Sequence, residues 1–302
     1  MDMDEYFVLF REYMLVQKPS SVNTRDSYLR DVSAFLRYLE GENITSPLEV
    51  ETETVEAYVQ HLHSLNRTNS TISRNIASVR CFYKFLILRG DMQVNPAKSV
   101  KLEKEPKKLP QTLTSEEIDL LLSQPNVTEA KGCRDKAMLE LLYATGIRVS
   151  ELINLNVQDI NLRTGKLFCR GTKGVRTIPI YAKAVVAVSD YLYRMRDLIV
   201  DPDNSGDALF VNLNGSRLTR QGFWKIIKAY TAEAGITKEI TPHTLRHSFA
   251  MHLLQGGASV KDIQTMMGHA DISSTQVYVH LLDLDNHVKI VYNECHPRAK
   301  TS

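Results

Sequence analysis

One segment, residues 241–257, constrains the fold most, because both of its ends carry helix signals. It opens with Thr241, a good N-cap, and Pro242, which suits the first position of a helix. Two consecutive glycines, Gly256-Gly257, close the segment. Between these ends an apolar residue recurs every four positions, at Leu245, Phe249 and Leu253. The spacing predicts an amphipathic helix that packs one face into a core and leaves another face for polar groups.

The polar face of this predicted helix carries His243 and Arg246, which are three positions apart and therefore neighbours on the helix surface. A helix N-terminus offers free backbone N–H groups to an anion, and arginine is well suited to bidentate recognition of a phosphate. Upstream, Arg148 opens a short predicted helix after a Thr-Gly turn, and His269 and Tyr278 follow downstream. This ordered set fits a site that holds a phosphodiester and attacks it with a tyrosine.

The chemistry needs all of these parts. Tyrosine is a poor nucleophile at its usual pKa of about 10, so it requires neighbouring cations and a base. Phosphoryl transfer builds negative charge on the phosphate oxygens, which guanidinium groups stabilise without a metal. Lys173, in a predicted hairpin turn, is placed to donate a proton to a leaving oxygen. No acidic pair for Mg²⁺ accompanies the set, and the Glu of a zinc HExxH motif is missing beside His243 and His247, so we expect neither metal nor cofactor.

Each residue alone also has a simpler interpretation. Arg148 could be a surface arginine paired with Glu151, and Lys173 a solvated turn lysine. Tyr278 is one of 13 tyrosines, most of which would lie in a core or an interface. The prediction therefore depends on the ordered set and not on any single member.

Composition limits the class of protein. The 302 residues, 43% hydrophobic and 24% charged, are ordinary for a soluble globular protein of two domains or one large one. The formal net charge is only +2, so a DNA-binding surface must come from segregating basic residues onto one face. No apolar run approaches the roughly 18 residues that span a membrane. We expect a cytoplasmic protein with free thiols and no CxxC zinc spacing, since its cysteines lie far apart at Cys81, Cys133, Cys169 and Cys295.

Helical spacing of apolar residues predicts a bundle of about four helices within residues 1–103. Residues 104–112 are charged, hold two prolines and are typical of an interdomain linker. A predicted capping box of Thr114 and Glu117 then opens a second domain, residues 113–302.

Within the second domain, residues 166–170 and 176–180 predict two strands joined by a glycine-containing turn, and residues 208–212 predict a third. The rest of this domain has mostly helical patterns. The sequence therefore predicts a mainly α protein of two domains, with a small sheet in the second.

Residues 144–152 and 241–250 resemble the two arginine boxes of the tyrosine site-specific recombinases, the integrase family. Residues 253–257, 267–270 and 275–278 continue the similarity. Length and layout most resemble the Xer group of this family, and the likeness spans nearly the whole chain. The resemblance implies an N-terminal four-helix SAM-like core-binding bundle and an α+β catalytic domain with a small antiparallel sheet.

The resemblance also implies a mechanism. Tyr278 would attack the scissile phosphate, form a 3′-phosphotyrosyl link and release a 5′-hydroxyl, while Arg148 and Arg246 hold the phosphate oxygens. Glu151 would support the arginine site without itself binding the phosphate. Lys173 would act as the general acid. His243 would assist proton transfer at the tyrosine, and His269 would form a hydrogen bond with the phosphate. The hairpin is shorter than in most Xer proteins, which leaves Arg170 as a competitor for the role of Lys173.

The N-terminal bundle carries basic residues that we expect to contact the DNA backbone, with a solvated charged face as the alternative. These candidates are Arg25, Ser27, Arg30, Arg74, Arg80 and Lys84.

Family members act as tetramers on two double-stranded DNA sites, through a Holliday junction. The tail, residues 283–302, would pack onto a neighbour or close onto its own domain. A second recombinase and an FtsK-type translocase are further candidate partners, and no membrane partner is expected. Two competing functions remain open at this point: a type IB topoisomerase-like nicking enzyme and a catalytically silent DNA-binding regulator.

Overall fold

The computed structural model describes residues 1–16, 22–102, 111–171 and 174–268. The chain forms two compact units, Met1–Lys107 and Lys108–Ser302. Among the described residues, the first unit has helices and no strands, and the second adds a small antiparallel sheet to its helices. The predicted mainly α, two-domain fold is thus confirmed. Most of the predicted linker, residues 104–112, lies outside the described residues, so its boundaries stay a prediction.

The first unit is a bundle of four helices around an aromatic core. The helices are α1 Met3–Val16, α2 Val22–Gly41, α3 Thr52–Ser64 and α4 Asn69–Arg89, with a short 3₁₀ turn at Pro47–Glu49. Phe10 and Phe82 meet edge to face with ring centroids 5.3 Å apart, and both rings are fully buried. Gly90 ends α4 in the left-handed conformation, which glycine adopts without strain.

The second unit begins with the predicted capping box. The Thr114 backbone N–H donates to Oε2 of Glu117 at 2.8 Å, and the Glu117 N–H donates to Oγ1 of Thr114 at 3.2 Å. The helices that follow are α5 Ser115–Ser123, α6 Ala130–Thr145, α7 Val149–Ile153, α8 Ala182–Asp190, α9 Pro202–Ser205, α10 Arg220–Glu233, α11 Pro242–Gln255 and α12 Val260–Met267.

The sheet has three antiparallel strands in the order β1 Ile160–Asn161, β2 Lys166–Gly171 and β3 Gly174–Pro179. The predicted third strand, residues 208–212, was wrong, because this segment makes only isolated bridges, to Asn156 and Arg217. Its backbone is satisfied instead by loop contacts and arginine side chains: Arg134 donates to the carbonyl of Val211, and Arg196 to that of Ala208. An apolar run with these properties is a buried loop that resembles a strand in sequence alone.

Helix α6 lies in the middle of the second unit and is buried on most sides. Its fully buried residues include Ala137, Met138, Leu139, Leu141 and Leu142. Within the described ranges, no helix combines the length and apolar character that a membrane crossing requires.

Candidate active site

The site begins where α6 ends. Gly146 takes the left-handed conformation at φ 57, and a Cβ atom there would lie 2.2 Å from Cδ1 of Phe249 in α11. Only glycine meets both conditions, because an L side chain is strained at this φ and has no room beside the ring. The tight turn brings Arg148 to the N-cap position of α7.

Arg148 contacts Glu151 through both its backbone and its side chain. Its N–H donates to Oε2 at 2.7 Å, and Nη1 lies 3.5 Å from Oε1. The Arg148 side chain is 42% exposed, whereas that of Glu151 is 10% exposed. The ion pair anticipated from the sequence is therefore present, and it leaves much of the guanidinium open to a ligand.

Glu151 has a second cationic partner, Arg176 in β3. Nη1 and Nη2 of Arg176 donate to Oε1 and Oε2, both at 2.9 Å, in a two-pronged pair. Burial opposes ionisation of Glu151, but the hydrogen bonds from Arg176 and from the Arg148 N–H, with both guanidinium charges, hold its pKa below its usual range. Glu151 is thus a buried carboxylate anion shared by two arginines.

Arg246, in α11, is buried and binds backbone at two places. Nη1 donates to the carbonyl of Gly146, and Nη2 donates to the carbonyl of Met267 at 2.7 Å. Since Nε of Arg176 donates to the adjacent carbonyl of Met266 at 2.9 Å, the two arginines hold the C-terminal end of α12 together. Contacts therefore run from Arg148 to Glu151 and Arg176, on to the end of α12, and through Arg246 back to Gly146. We call this closed circuit of contacts the arginine ring.

His243 lies on the exposed first turn of α11, as predicted. The helix start is fixed by Thr241, whose N–H donates to Oγ1 of Thr244 at 2.9 Å. Partial desolvation, followed by the positive charges of Arg246, Arg220 and Arg148, lowers the pKa of His243 below its ordinary value. The imidazole is therefore neutral and able to accept a proton at neutral pH.

A hollow of about 950 Å³ lies beside the arginine ring. Its lining includes the cationic residues Arg148, Arg170, Arg176 and Lys261. Arg170 is itself held by Asp159, with Nε and Nη2 at 3.2 and 2.9 Å from Oδ1, although its side chain is 66% exposed. The carboxylates of Glu151 and Asp159 also line the hollow, and each is paired with an arginine, so cationic groups remain in excess and the hollow suits a phosphate anion.

Three predicted catalytic residues, Lys173, His269 and Tyr278, lie outside the described residues, as does the tail 283–302. Their roles stay predictions. The structure brings Arg148, Glu151 and Arg246 together and places His243 in the field of both arginines.

In the first unit, the candidate DNA-binding residues fall into two groups. Arg74 in α4 pairs with the buried Asp31 of α2, the helix that also carries Arg25, Ser27 and Arg30. The other group, Arg80 and Lys84, lines a shallow pocket with Asn95 and Lys98.

Arg80 already has an intramolecular role. Its Nε and Nη2 donate to the carbonyls of Ala97 and Val100 at 2.8 and 2.7 Å. Lys84 is exposed. Contact of either residue with DNA stays a prediction.

Sequence reasoning gave no role to Arg176, although the signal was available. In the register of the sheet, Arg176 lies opposite Cys169, which is fully buried, and two residues from the buried Ile178. The alternation of β3 therefore puts a guanidinium on the buried face, where it requires a carboxylate partner.

Comparison with known proteins agrees with this geometry. Residues 111–284 match the phage integrase family, and residues 7–90 match the N-terminal SAM-like domain of phage integrases. The tyrosine recombinase XerD of Oceanobacillus iheyensis is 44% identical over 293 residues, which cover 96% of this chain and 97% of the relative. The tyrosine recombinase XerC of Roseiflexus castenholzii is 38% identical, covering 99% and 95%.

Among solved structures, the XerH site-specific recombinase bound to a palindromic difH substrate aligns with a TM-score of 0.75. The alignment covers 97% of this chain and 90% of that one, and at 19% identity it supports the fold alone. The family models span both units, and the relatives match almost end to end. The chain therefore belongs to the phage integrase family and is a tyrosine recombinase.

Proposed function

We propose that this chain is a Xer-type site-specific recombinase that cuts and rejoins DNA strands through a 3′-phosphotyrosyl intermediate on Tyr278. The observation that carries the proposal is the arginine ring, which holds Arg148 and Arg246 at one site beside a cationic hollow. Relatives named XerD and XerC support the Xer role over that of a nicking topoisomerase or a silent regulator.

Each of the catalytic residues has its own part in the cleavage step. The Tyr278 hydroxyl loses its proton and attacks phosphorus, and the bond to the 5′ oxygen breaks. Arg148 and Arg246 stabilise the charge that develops on the non-bridging oxygens, and His269 donates a hydrogen bond there. The 5′-hydroxyl of a partner strand then attacks the phosphotyrosyl bond, so that neither ATP nor a metal is needed.

Proton transfer is assigned to His243 and to a residue of the hairpin that joins β2 and β3. His243, with its lowered pKa, accepts the proton of the attacking hydroxyl at neutral pH. Lys173 donates a proton to the leaving 5′ oxygen. Arg170 is the weaker candidate for this role, because its guanidinium is paired with Asp159 and an arginine does not release a proton in proteins.

The two domains share the work on DNA. Residues 1–103 would grip the duplex backbone, residues 104–112 would link the domains, and residues 113–302 would carry out the chemistry. Catalysis would proceed in a tetramer on two recombination sites in the cytoplasm, at the nucleoid. A second recombinase, an FtsK-type translocase and the tail 283–302 are proposed as regulators of the assembly.

The test uses suicide duplexes, nicked near the scissile phosphate, that tile the host's chromosome-terminus region and the flanks of the gene. Incubation without added metal should give a covalent protein–DNA adduct on a denaturing gel. Tyr278→Phe should abolish the adduct and retain a specific gel shift, because only the nucleophile is lost. An adduct that persists in Tyr278→Phe would refute the mechanism.

The substrate that reacts also tests the biological role. Terminus duplexes point to chromosome dimer resolution, and gene-flanking duplexes point to a mobile element. A substrate with a sulfur leaving atom, which departs without a proton, should rescue Lys173→Ala and leave a defect in Arg170→Ala unchanged if Lys173 is the acid.

A further inference from the structure

Arg176 is a cation on the inner face of β3, and each of its three guanidinium nitrogens donates a hydrogen bond. Nη1 and Nη2 bind the two Glu151 oxygens, and Nε binds the carbonyl of Met266, all at 2.9 Å. Its side chain is 14% exposed, against 42% for Arg148. These contacts join three parts of the chain, namely strand β3, helix α7 and the C-terminal end of α12.

Its first connection runs to Arg148. Glu151 accepts hydrogen bonds from Arg148 and Arg176 through the same two oxygens. A carboxylate held from one side by a planar, two-pronged partner has a fixed orientation. The oxygens that receive the Arg148 backbone and side chain are therefore set by Arg176.

Its second connection runs to the end of α12. The last carbonyls of a helix lack partners within the helix and carry the negative end of its dipole. Arg176 and Arg246 supply these partners at Met266 and Met267. Close packing is possible because the next residue is Gly268, where a Cβ atom would lie 2.8 Å from Nη1 of Arg176.

We infer that Arg176 is a positioning residue for strand cleavage, which fixes Arg148 through Glu151 and aligns Arg246 through the end of α12. The inference rests on the proposed function, in which Arg148 and Arg246 bind the scissile phosphate. Small displacements of such groups are costly, because catalysis depends on holding the reacting atoms in place. Lysine cannot replace Arg176, since a single ammonium has no fork to bind a carboxylate edge and a carbonyl on two sides.

The experiment compares Arg176→Met and Arg176→Lys with a matched control, Arg163→Met. Arg163 is an exposed arginine in the turn between β1 and β2 of the same sheet. The probe is the suicide duplex that wild-type protein cleaves. Gel shifts give the Kd, and adduct formation at saturating protein gives the cleavage rate. Fluorescence of Trp224, the single tryptophan, reports whether the catalytic unit is folded.

We expect Arg176→Met and Arg176→Lys to slow cleavage by about 100-fold, the scale of a misplaced catalytic group. Their Kd should stay within about threefold of wild type, and Arg163→Met should match wild type in both. If Arg176→Met is unfolded, Arg176→Lys, which keeps the charge opposite Glu151, is judged by the same criteria.

A double-mutant cycle separates positioning from general support of the fold. In an Arg148→Lys background, the guanidinium that Arg176 orients is absent, so adding Arg176→Lys should slow cleavage by less than about tenfold. Suicide substrates accumulate the adduct, which keeps slow variants measurable. An undiminished 100-fold effect in that background, a loss of binding equal to the loss of cleavage, or wild-type cleavage in both Arg176 variants would each overturn the inference.

The proposed function fails separately. If wild-type protein forms no Tyr278-dependent adduct on any duplex, the mechanism fails and the inference fails with it. If the adduct forms and depends on Tyr278 but is insensitive to Arg176, the positioning role alone is wrong.

Discussion

Replacing Gly146 by alanine should damage both the stability and the activity of the catalytic unit. Gly146 has φ 57, and its missing Cβ would lie 2.2 Å from Cδ1 and 2.6 Å from Cε1 of Phe249. Its carbonyl also receives Nη1 of Arg246. The substitution therefore strains the backbone, forces the ring away and moves an anchor of Arg246, the arginine that we propose binds phosphate.

The expected size follows from two contributions. An alanine in the left-handed region costs roughly 1–2 kcal/mol, and forcing an extra methyl group into a packed site costs about 1–3 kcal/mol. The free energy of unfolding should fall by about 2–5 kcal/mol in total. Gly235→Ala is the matched control, because Gly235 has φ 64 in the same unit and a Cβ there meets no atom within 4 Å. It should lose only the backbone contribution, about 1–2 kcal/mol.

Urea unfolding followed by Trp224 fluorescence measures both variants in the catalytic unit, where the only tryptophan lies. Suicide-substrate cleavage at a temperature where both variants are folded should be slower in Gly146→Ala than in Gly235→Ala. Adding Phe249→Leu, which shortens the clashing ring, should cost Gly146→Ala less stability than it costs wild type. Equal destabilisation by Gly146→Ala and Gly235→Ala would refute the reasoning, because the clash with Phe249 would then carry no energy.

Two further predictions concern pH and the first unit. Burial, followed by the charges of His243 and Arg246, lowers the pKa of His247 to about 4 from an unfolded value of 6.5. As the pH falls, the unfolded chain protonates His247 before the folded chain does. The free energy of unfolding should therefore fall as pH drops from about 6.5 toward 4, by at most about 1.4 kcal/mol per pH unit. The urea midpoint of His247→Gln should depend less on pH over this range than that of wild type. In the first unit, Arg80→Ala should lower stability in circular-dichroism melts by about 1.5–3 kcal/mol, because it removes charged hydrogen bonds to two carbonyls. Lys84→Ala should leave the melt unchanged and weaken DNA binding, and a melt of Arg80→Ala that matches that of Lys84→Ala would contradict the structural role.

Much of the fold is predictable because local signals are strong where the chain turns. The capping box at Thr114, the left-handed Gly90 and the Thr-Pro start of α11 each fix a helix end within a few residues. The alternation in residues 166–180 likewise fixes the hairpin of β2 and β3. The failed strand at 208–212 has a β-like run, but its backbone partners are arginines distant in sequence, and no local pattern encodes them.

The sequence predicts which residues belong to the candidate site, but it does not predict the contacts between them. The ordered arginines and histidines point to phosphate chemistry from residue types alone, whereas the sharing of Glu151 depends on a contact between residues 25 positions apart. Arg176 shows the limit most clearly. It lies on the buried face of β3 by simple alternation, yet its second partner, the Met266 carbonyl, is 90 positions away.

These contacts change how the basic residues of this chain should be interpreted. Among the described residues, seven arginines donate to backbone carbonyls, namely Arg37, Arg80, Arg134, Arg176, Arg196, Arg217 and Arg246. Several of these carbonyls lie at helix ends or in buried loops, where a missing partner costs roughly 1–3 kcal/mol each. An alanine scan of arginines would therefore mix losses of folding with losses of DNA contact. Replacing the exposed lysines Lys84, Lys98 and Lys261 leaves no backbone carbonyl without a partner. Their contribution to salt-dependent DNA binding is therefore a more direct measure of where the duplex backbone lies than that of the arginines.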